Sequence, residues 1–316
     1  MLPSASFFSI FTKERSENME RQQKTDAFSR FHPIVNFAYF ALVLGCTMTL
    51  THPACQLIAL IGAAAYAVTL CGTRGVDFCI KYAVPIVLIT MLVNPAFNHA
   101  GCTILAYLPS GNPLTLESIL YGVSSGCMLA SVLLWFLCVN TSISSDKFVC
   151  LFGRIIPTLS LLLSMILRFL PKFKAQFKTV SNAQKCIGRD AESGGLLHRL
   201  KISIRIFSIT VTWSLENAIE TADSMKSRGY GLKGRTAYSI YTWEERDTQA
   251  VLWLAFCAFT IICGQLSDLL LWRYLPMIHG TRILPMTIFV LIVYLLLCLT
   301  PVMIHVHERR QWKNAK

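Results

Sequence analysis

Glu216, Glu220 and Asp223 recur at i, i+4 and i+7 and lead into Lys226-Ser227-Arg228-Gly229. On a helix this spacing gives one acidic face running toward a basic end. A cation in the last turn suits the helix dipole, and that alone accounts for Arg228 as an ordinary solvated helix end. The other reading is a grip, because a guanidinium at a helix end can pair two-pronged with a partner's carboxylate. The segment carries no nucleophile or metal-ligand set, so no catalytic residue is expected in it. Gly229-x-Gly231-x-x-Gly234 has the spacing of a dinucleotide fingerprint, which needs a strand before it and a helix after it. Here a polar helical segment precedes and a Thr/Tyr-rich one follows, so Gly229 reads as a helix stop.

The other chemistry-bearing residues are scattered. His305 and His307 lie two apart, which cannot share one helix face, and no third ligand is near. His32, His52 and His99 fall at the edges of apolar stretches, so no metal site is expected. No Walker-type phosphate loop is present, so the chain itself is not expected to hydrolyse ATP, and no cofactor is implied. The 12 cysteines stand singly, without a Cys-x-x-Cys pair, and read as buried free thiols. Asn140-Thr141-Ser142 fits a glycosylation sequon but falls at the expected inner face, so chance is the reading taken.

Such residues must be positioned by apolar elements. The chain has 316 residues, 54% of them hydrophobic and 15% charged, with a mean hydropathy of +0.52. A soluble domain carries about 25% charged residues, so a membrane protein is expected. Crossing the hydrocarbon core takes about 20 apolar residues. Candidate spans are residues 34–50, 54–71, 82–97, 118–139, 250–271 and 284–305. Thr51-His52-Pro53 is a tight break, so the first two spans are expected to form a hairpin. Residues 7–11 are too few for the apolar core of a secretory signal, and none is expected.

The net charge of +12 would suggest nucleic acid in a soluble protein. Here its placement argues for orientation instead, and no nucleic-acid partner is expected. With six spans, every Lys and Arg except Arg273 and Arg282 falls on one side, which makes both termini cytoplasmic. Residues 72–81 then form an inner loop holding Arg74 and Lys81. Residues 98–117, without Lys or Arg but with Gly101, Pro109, Gly111 and Pro113, form an outward turn-rich loop.

Between the fourth and fifth spans lies a basic block with two amphipathic stretches, residues 155–169 and 202–218. Pro157 and Pro171 mark breaks or kinks around the first. Leu196, Leu197, Leu200, Ile204 and Phe207 share one helical face. Such helices either lie along the inner membrane surface or pack within a cytoplasmic domain. Arg168, beside the apolar run before it, either snorkels to the interface or pairs with a helix C-terminus.

Residues Ala222-Asp223-Ser224-Met225-Lys226-Ser227-Arg228-Gly229-Tyr230-Gly231, followed by Lys233-Gly234-Arg235-Thr236, resemble a known motif. It is the second coupling motif of the transmembrane T component of energy-coupling factor (ECF) transporters, a family that includes the Q component of cobalt and nickel importers. His32-Pro33, Asn94 to Gly101 and Arg168-Phe169-Leu170-Pro171 leading to Ala183-Gln184-Lys185 match in the same order. The resemblance covers about residues 30 to 305. It implies a non-enzymatic scaffold in the cell membrane that joins a substrate-binding S component to two cytoplasmic ABC ATPases. ATP would be bound and hydrolysed by those partners, and vitamin or metal-ion uptake would follow.

By this resemblance Arg228 takes the place of the second motif's arginine, flanked by Ser227 and Gly229. The first motif departs from the pattern. The family shows Ala-Gln-x-x-Arg-Gly where this chain has Ala183-Gln184-Lys185-Cys186-Ile187-Gly188, so Ile187 holds the arginine position. Lys185 and Arg189 are the neighbouring candidates for the charge, in a different helix register. An asymmetric ATPase pair or a diverged subfamily are the two readings this leaves.

The expected organisation is all-α. It has a cytoplasmic arm (1–32), four spans (33–140), a cytoplasmic coupling-helix block (141–249), two spans (250–305) and a basic cytoplasmic tail (306–316). Two other classes compete. A stand-alone secondary transporter needs ionisable residues near the bilayer midplane, and only Asp268, near a span end, comes close. An integral-membrane enzyme needs clustered His, Asp or Glu at a membrane face, and these are dispersed.

Overall fold

An apolar stretch away from water must satisfy its own backbone groups, and the helix does this within one segment. The computed structural model describes residues 27–107, 113–144, 147–148, 150–151, 157–189, 195–230, 241–281 and 284–314. In order, the helices are α1 (Pro33–Thr49), α2 (Pro53–Cys71), α3 (Thr73–Phe78), α4 (Val84–Phe97), α5 (Leu116–Ser142), α6 (Pro157–Cys186), α7 (Leu196–Ser227), α8 (Glu245–Leu266) and α9 (Pro285–Asn314). The chain divides into two compact units, residues 1–144 with 242–316, and residues 145–241.

Among the described residues of the first unit, five helices are long and apolar enough to cross a membrane: Pro53–Cys71, Thr73–Phe97, Leu116–Ser142, Glu245–Leu266 and Pro285–Gln311. The apolar α1, with 17 residues, reaches about 25 Å at 1.5 Å per residue. Each of the six expected spans falls on one of these helices. The chain is an all-α, multi-pass membrane protein.

Several boundaries differ from the sequence reading. Residues 72–81 do not form a loop. Gly72, at φ 59°, makes a single-residue break, after which the helix runs through a π turn (Cys79–Ala83) into α4. The third span is therefore Thr73–Phe97 rather than 82–97, with Arg74 and Lys81 exposed on it. Helix α8 begins five residues before the expected span and ends at Leu266, with Asp268 in the turn beyond. Its early start comes from a capping box in which Glu244 and Asp247 each bind the other's backbone N–H. Residues 104–107 and 113–115 pair as a small antiparallel hairpin before α5. Helices α1 and α2 are joined by the short turn at 50–52 but barely touch. Instead α2 packs along α5 and α9, and α1 against α5 and α8.

The most extensive contact between two helices is that of α4 with α5. A Cβ on Gly122 would stand 2.9 Å from the Thr90 carbonyl, and one on Gly126 2.9 Å from the Val87 Cα. These two glycines, four apart, remove the side chains that would hold the backbones apart. This is the small-residue seam by which helices associate where lipid replaces water as solvent. Only 6% of the apolar window of Thr73–Phe97 is buried in the protein, so nearly all of that helix outside the seam faces the surroundings. Leu88, Ile89, Leu92 and Phe97 point outward, which suits hydrocarbon and not water.

Behind the seam, Tyr39, Tyr66 and Trp135 are fully buried, with edge-on or tilted contacts of 6.1 Å (Tyr39–Trp135) and 6.3 Å (Tyr66–Trp135). Buried phenol groups need partners. Tyr39 donates to the Leu297 carbonyl at 3.2 Å, and Tyr66 shares a 3.0 Å hydrogen bond with Ser142.

The starts of α1, α2, α5 and α8 are capped by side chains. His32 and His52 each precede a proline at the first helical position, and their Nδ1 atoms accept from Ile34 N (3.3 Å) and Ala54 N (3.2 Å). Both were expected at span edges, and His32 also as part of the His32-Pro33 match, but neither as a helix cap. Asp247 is 1% exposed. Its two carboxylate oxygens accept from the backbone N–H groups of His32 and Glu244, both at 3.0 Å, and so tie the start of α1 to the start of α8.

In the second unit α6 and α7, of 30 and 32 residues, pack side by side through Val180, Ile202 and Ile206. Both extend well beyond the amphipathic stretches read from sequence. Pro171 lies inside α6, which continues past it, and Pro157 opens the helix. The expected apolar face of α7 is not the packed one. Leu197, Leu200, Ile204 and Phe207 are exposed, while Ile202, Ile206 and Thr210, half a turn away, are buried. The helix is apolar on two opposite sides, and periodicity found the unpacked side.

Two substitutions test these contacts. Gly126→Leu forces a side chain into the α4 backbone and is expected to cost about 1–3 kcal/mol, read as a lower thermal midpoint in detergent. Asp247→Ala leaves two backbone donors without their acceptor and is expected to cost about 1–3 kcal/mol. Asp247→Asn, which keeps one oxygen acceptor, should lose less in the same melt.

Candidate functional site

The residues singled out from the sequence occupy the C-termini of α6 and α7, and both ends are closed in the same way. At the end of α6, Gly188 N donates to Lys185 O (3.0 Å) and Arg189 N to Gln184 O (3.0 Å), with Gly188 at φ 77°. At the end of α7, Gly229 N donates to Lys226 O (2.9 Å) and Tyr230 N to Met225 O (3.0 Å), with Gly229 at φ 73°. Each is a Schellman closure, in which a left-handed residue lets two backbone N–H groups turn back onto carbonyls the helix leaves open. Glycine fits because it has no Cβ to clash in that conformation.

The closure fixes where the side chains stand. Arg228 is the last residue before the reversal, at φ −84° and ψ 10°, and its side chain is exposed. Among the described residues no ion pair involves it. Ser227 is exposed and its hydroxyl donates to Ser224 O at 2.9 Å, which keeps it on the helix rather than reaching outward. Lys185, Gly188 and Arg189 are exposed at the other end. Glu216, Glu220 and Asp223 are exposed along α7, as the acidic face requires. The cations Lys185 and Lys226 lie in last turns, where the partial negative charge of the helix end favours them.

The geometry suits docking more than chemistry. A 32-residue helix ends in a solvent-facing guanidinium beside a glycine that lets another backbone approach. Gly229 follows a helix and not a strand, which removes the dinucleotide reading. Gly231, Lys233, Gly234, Arg235 and Thr236 lie outside the described residues, as do residues 1–26. Among the described residues no three His, Cys, Asp or Glu side chains come together as a metal site. His307 bonds Gln311 at 3.1 Å. No disulfide joins any of the 12 cysteines, and Cys102, Cys186 and Cys263 are exposed where buried thiols were expected.

Sequence reasoning missed the Gly122–Gly126 seam and the Glu244–Asp247 box, although both have local signatures: small residues four apart, and acids three apart before an apolar run. It also missed Asp247 as an acceptor for His32, which no local signal could show.

A bundle of apolar helices, with a second unit of two long, glycine-closed helices, defines a multi-pass membrane protein. Residues 33–238 match the family model of CbiQ, the cobalt transport protein, and the chain belongs to that family. Relatives include the energy-coupling factor transporter transmembrane protein EcfT of Lactobacillus helveticus (strain DPC 4571), 38% identical over 28% of this chain and 32% of the relative. The EcfT protein of Lactococcus lactis subsp. cremoris (strain MG1363) is 36% identical over 33% of this chain and 40% of its own length. That of Listeria innocua serovar 6a is 29% identical over 62% of this chain and 75% of its length. The chain thus spans about a third of the length of the first of these relatives.

Replacing Gly229 by Ala puts a Cβ at φ 73°, which costs about 1–2 kcal/mol. The last turn of α7 is expected to fray, seen as faster amide hydrogen exchange at residues 225–230, while the α4–α5 seam exchanges as before.

Proposed function

We propose that this chain is the transmembrane scaffold of an ECF-type importer and performs no catalysis of its own. Two cytoplasmic ABC ATPases bind and hydrolyse ATP, and the ends of α6 and α7 engage them. Movement of those helices then shifts a membrane-embedded S component that carries a vitamin or metal ion. The names of the relatives support the assembly. The observation that carries the coupling role is Arg228, exposed at the closed end of a long helix.

The physical logic is a lever. A helix of 32 residues extends about 48 Å at 1.5 Å per residue, so a push at its end is delivered far along it. The exposed apolar side of α7 offers a surface for the membrane or the S component, which matches a helix lying at the inner membrane face. The lysine and arginine distribution outside the spans supports a reading with both termini in the cytoplasm and the chain in the cell membrane.

Co-expression with the ABC ATPases and small membrane proteins encoded beside it tests the proposal. The wild-type chain is expected to co-purify with two ATPase subunits and an S component. Arg228→Glu should abolish ATPase retention, and Arg228→Lys, a point charge without the planar fork, should reduce it less. Unaltered assembly and uptake in Arg228→Glu would sink the proposal.

A further inference from the structure

In the membrane unit, the starts of α1 and α8 meet the second half of α9 around a cavity of about 270 Å³. Val35 and Tyr39 of α1 line it, as do Thr300 and Ile304 of α9, each pair four residues apart and so on one helical face. On α8 the lining runs from Arg246 through Ala250 to Leu254. That stretch spans about 12 Å at 1.5 Å per residue, so the cavity follows the helix axis for about that length.

The deep part is apolar, and its polar atoms are already bonded within the protein. Tyr39 donates to the Leu297 carbonyl at 3.2 Å, and Trp253 Nε1 to Thr300 Oγ1 at 3.3 Å. Thr300 Oγ1 in turn donates to the Leu296 carbonyl at 2.7 Å. Apolar cavities of roughly 150 Å³ stay dry and take apolar guests, and this one is larger.

The mouth is different. Arg246 and Gln249 are exposed there. Arg246 lies across the Phe31 ring, its guanidinium carbon 5.3 Å from the centroid, and its Nη2 donates to the Arg30 carbonyl at 3.4 Å. Its Nε faces Glu244 at 2.9 Å. Glu244 offsets part of the charge but occupies only the Nε edge. Two of the five guanidinium N–H groups are thus used, and among the described residues the other three have no partner.

We propose that this cavity is a phospholipid site, in which Arg246 holds the phosphate two-pronged and one acyl chain runs past Ala250 toward Leu254. The surroundings supply such a molecule. Only 22% of the apolar window of α8 is buried in the protein, and Leu252, Phe256 and Phe259 point outward, so this wall of the cavity borders hydrocarbon. A free phosphate would satisfy Arg246 but leave the apolar part unfilled. The site lies within the membrane unit and stands whether or not the chain couples to ATPases.

The test uses the full chain in nanodiscs of phosphatidylglycerol that carries a diazirine in one acyl chain. Label on Leu254, 8% exposed, reports the cavity, and label on Phe259, 68% exposed, reports the surrounding bilayer and a folded chain. The wild-type chain should label at both. Ala250→Leu and Ile304→Phe fill the cavity from two different helices, and Arg246→Gln removes the phosphate contact. Each should lower the Leu254 label about tenfold relative to Phe259, the size of one charge-assisted hydrogen bond or of two buried methylene groups. Arg246→Lys, a point charge without the fork, should lower it less. No Leu254 label in the wild type, or label left intact by both Ala250→Leu and Ile304→Phe, overturns the site. Label left intact by Arg246→Gln overturns the phosphate contact. Loss of the Leu254 label when inorganic phosphate replaces chloride makes the site one for a free anion and overturns the lipid.

Discussion

Every helix end in this protein faces the same constraint. The first N–H groups and last C=O groups of a helix have no partner inside it, and a membrane supplies none. The chain answers at the starts of its apolar helices with side-chain acceptors: His32 before α1, His52 before α2, Thr115 before α5, and the Glu244–Asp247 pair before α8. At the ends of α6 and α7 it answers with backbone reversal at Gly188 and Gly229. The first set lets apolar helices begin close to the interface. The second leaves the side chain before each glycine free to point outward. The same chemistry thus builds the membrane unit and defines the surface that a partner would meet.

Within the membrane unit, apolar attraction cannot sort one helix from another, because lipid tails are as apolar as leucine. Sorting falls to shape and to the few polar groups. Gly122 and Gly126 let α4 approach α5, and Gly62 meets Cys298 where α2 approaches α9. Hydroxyl bonds from Tyr39 and Tyr66 hold the centre. Asp247 joins α1 to α8 across 215 residues of sequence. Its buried carboxylate satisfies two backbone donors at once, which a water-exposed carboxylate could not do with the same effect.

Much of the architecture was legible because its signals are local. Six apolar runs gave six helices, and a glycine after a polar helix gave a helix stop at Gly229. The errors are also local in origin. Residues 72–81 were expected as an inner loop holding Arg74 and Lys81. Yet Gly75 fits tightly against the α2 backbone at Ala67, and the helix resumes after one residue. The end of α8 was placed too late because Leu269, Leu270 and Leu271 are apolar, although a turn with Asp268 at φ 55° has already ended the helix.

The sequence by itself determined the membrane class, the number of apolar helices and the odd pairing of Ile187 with Arg228, because length, hydropathy and residue type are properties of short segments. Only the tertiary structure decided which face of α7 is packed and which helix each span meets. With apolar residues on two opposite sides of α7, periodicity has two solutions, and contact with Val180 of α6 selects Ile202 and Ile206. The matching closure of the two helix ends likewise needed backbone geometry. Hydrogen bonds at Gly188 and Gly229 place every neighbouring side chain, and no residue type states where a helix end turns.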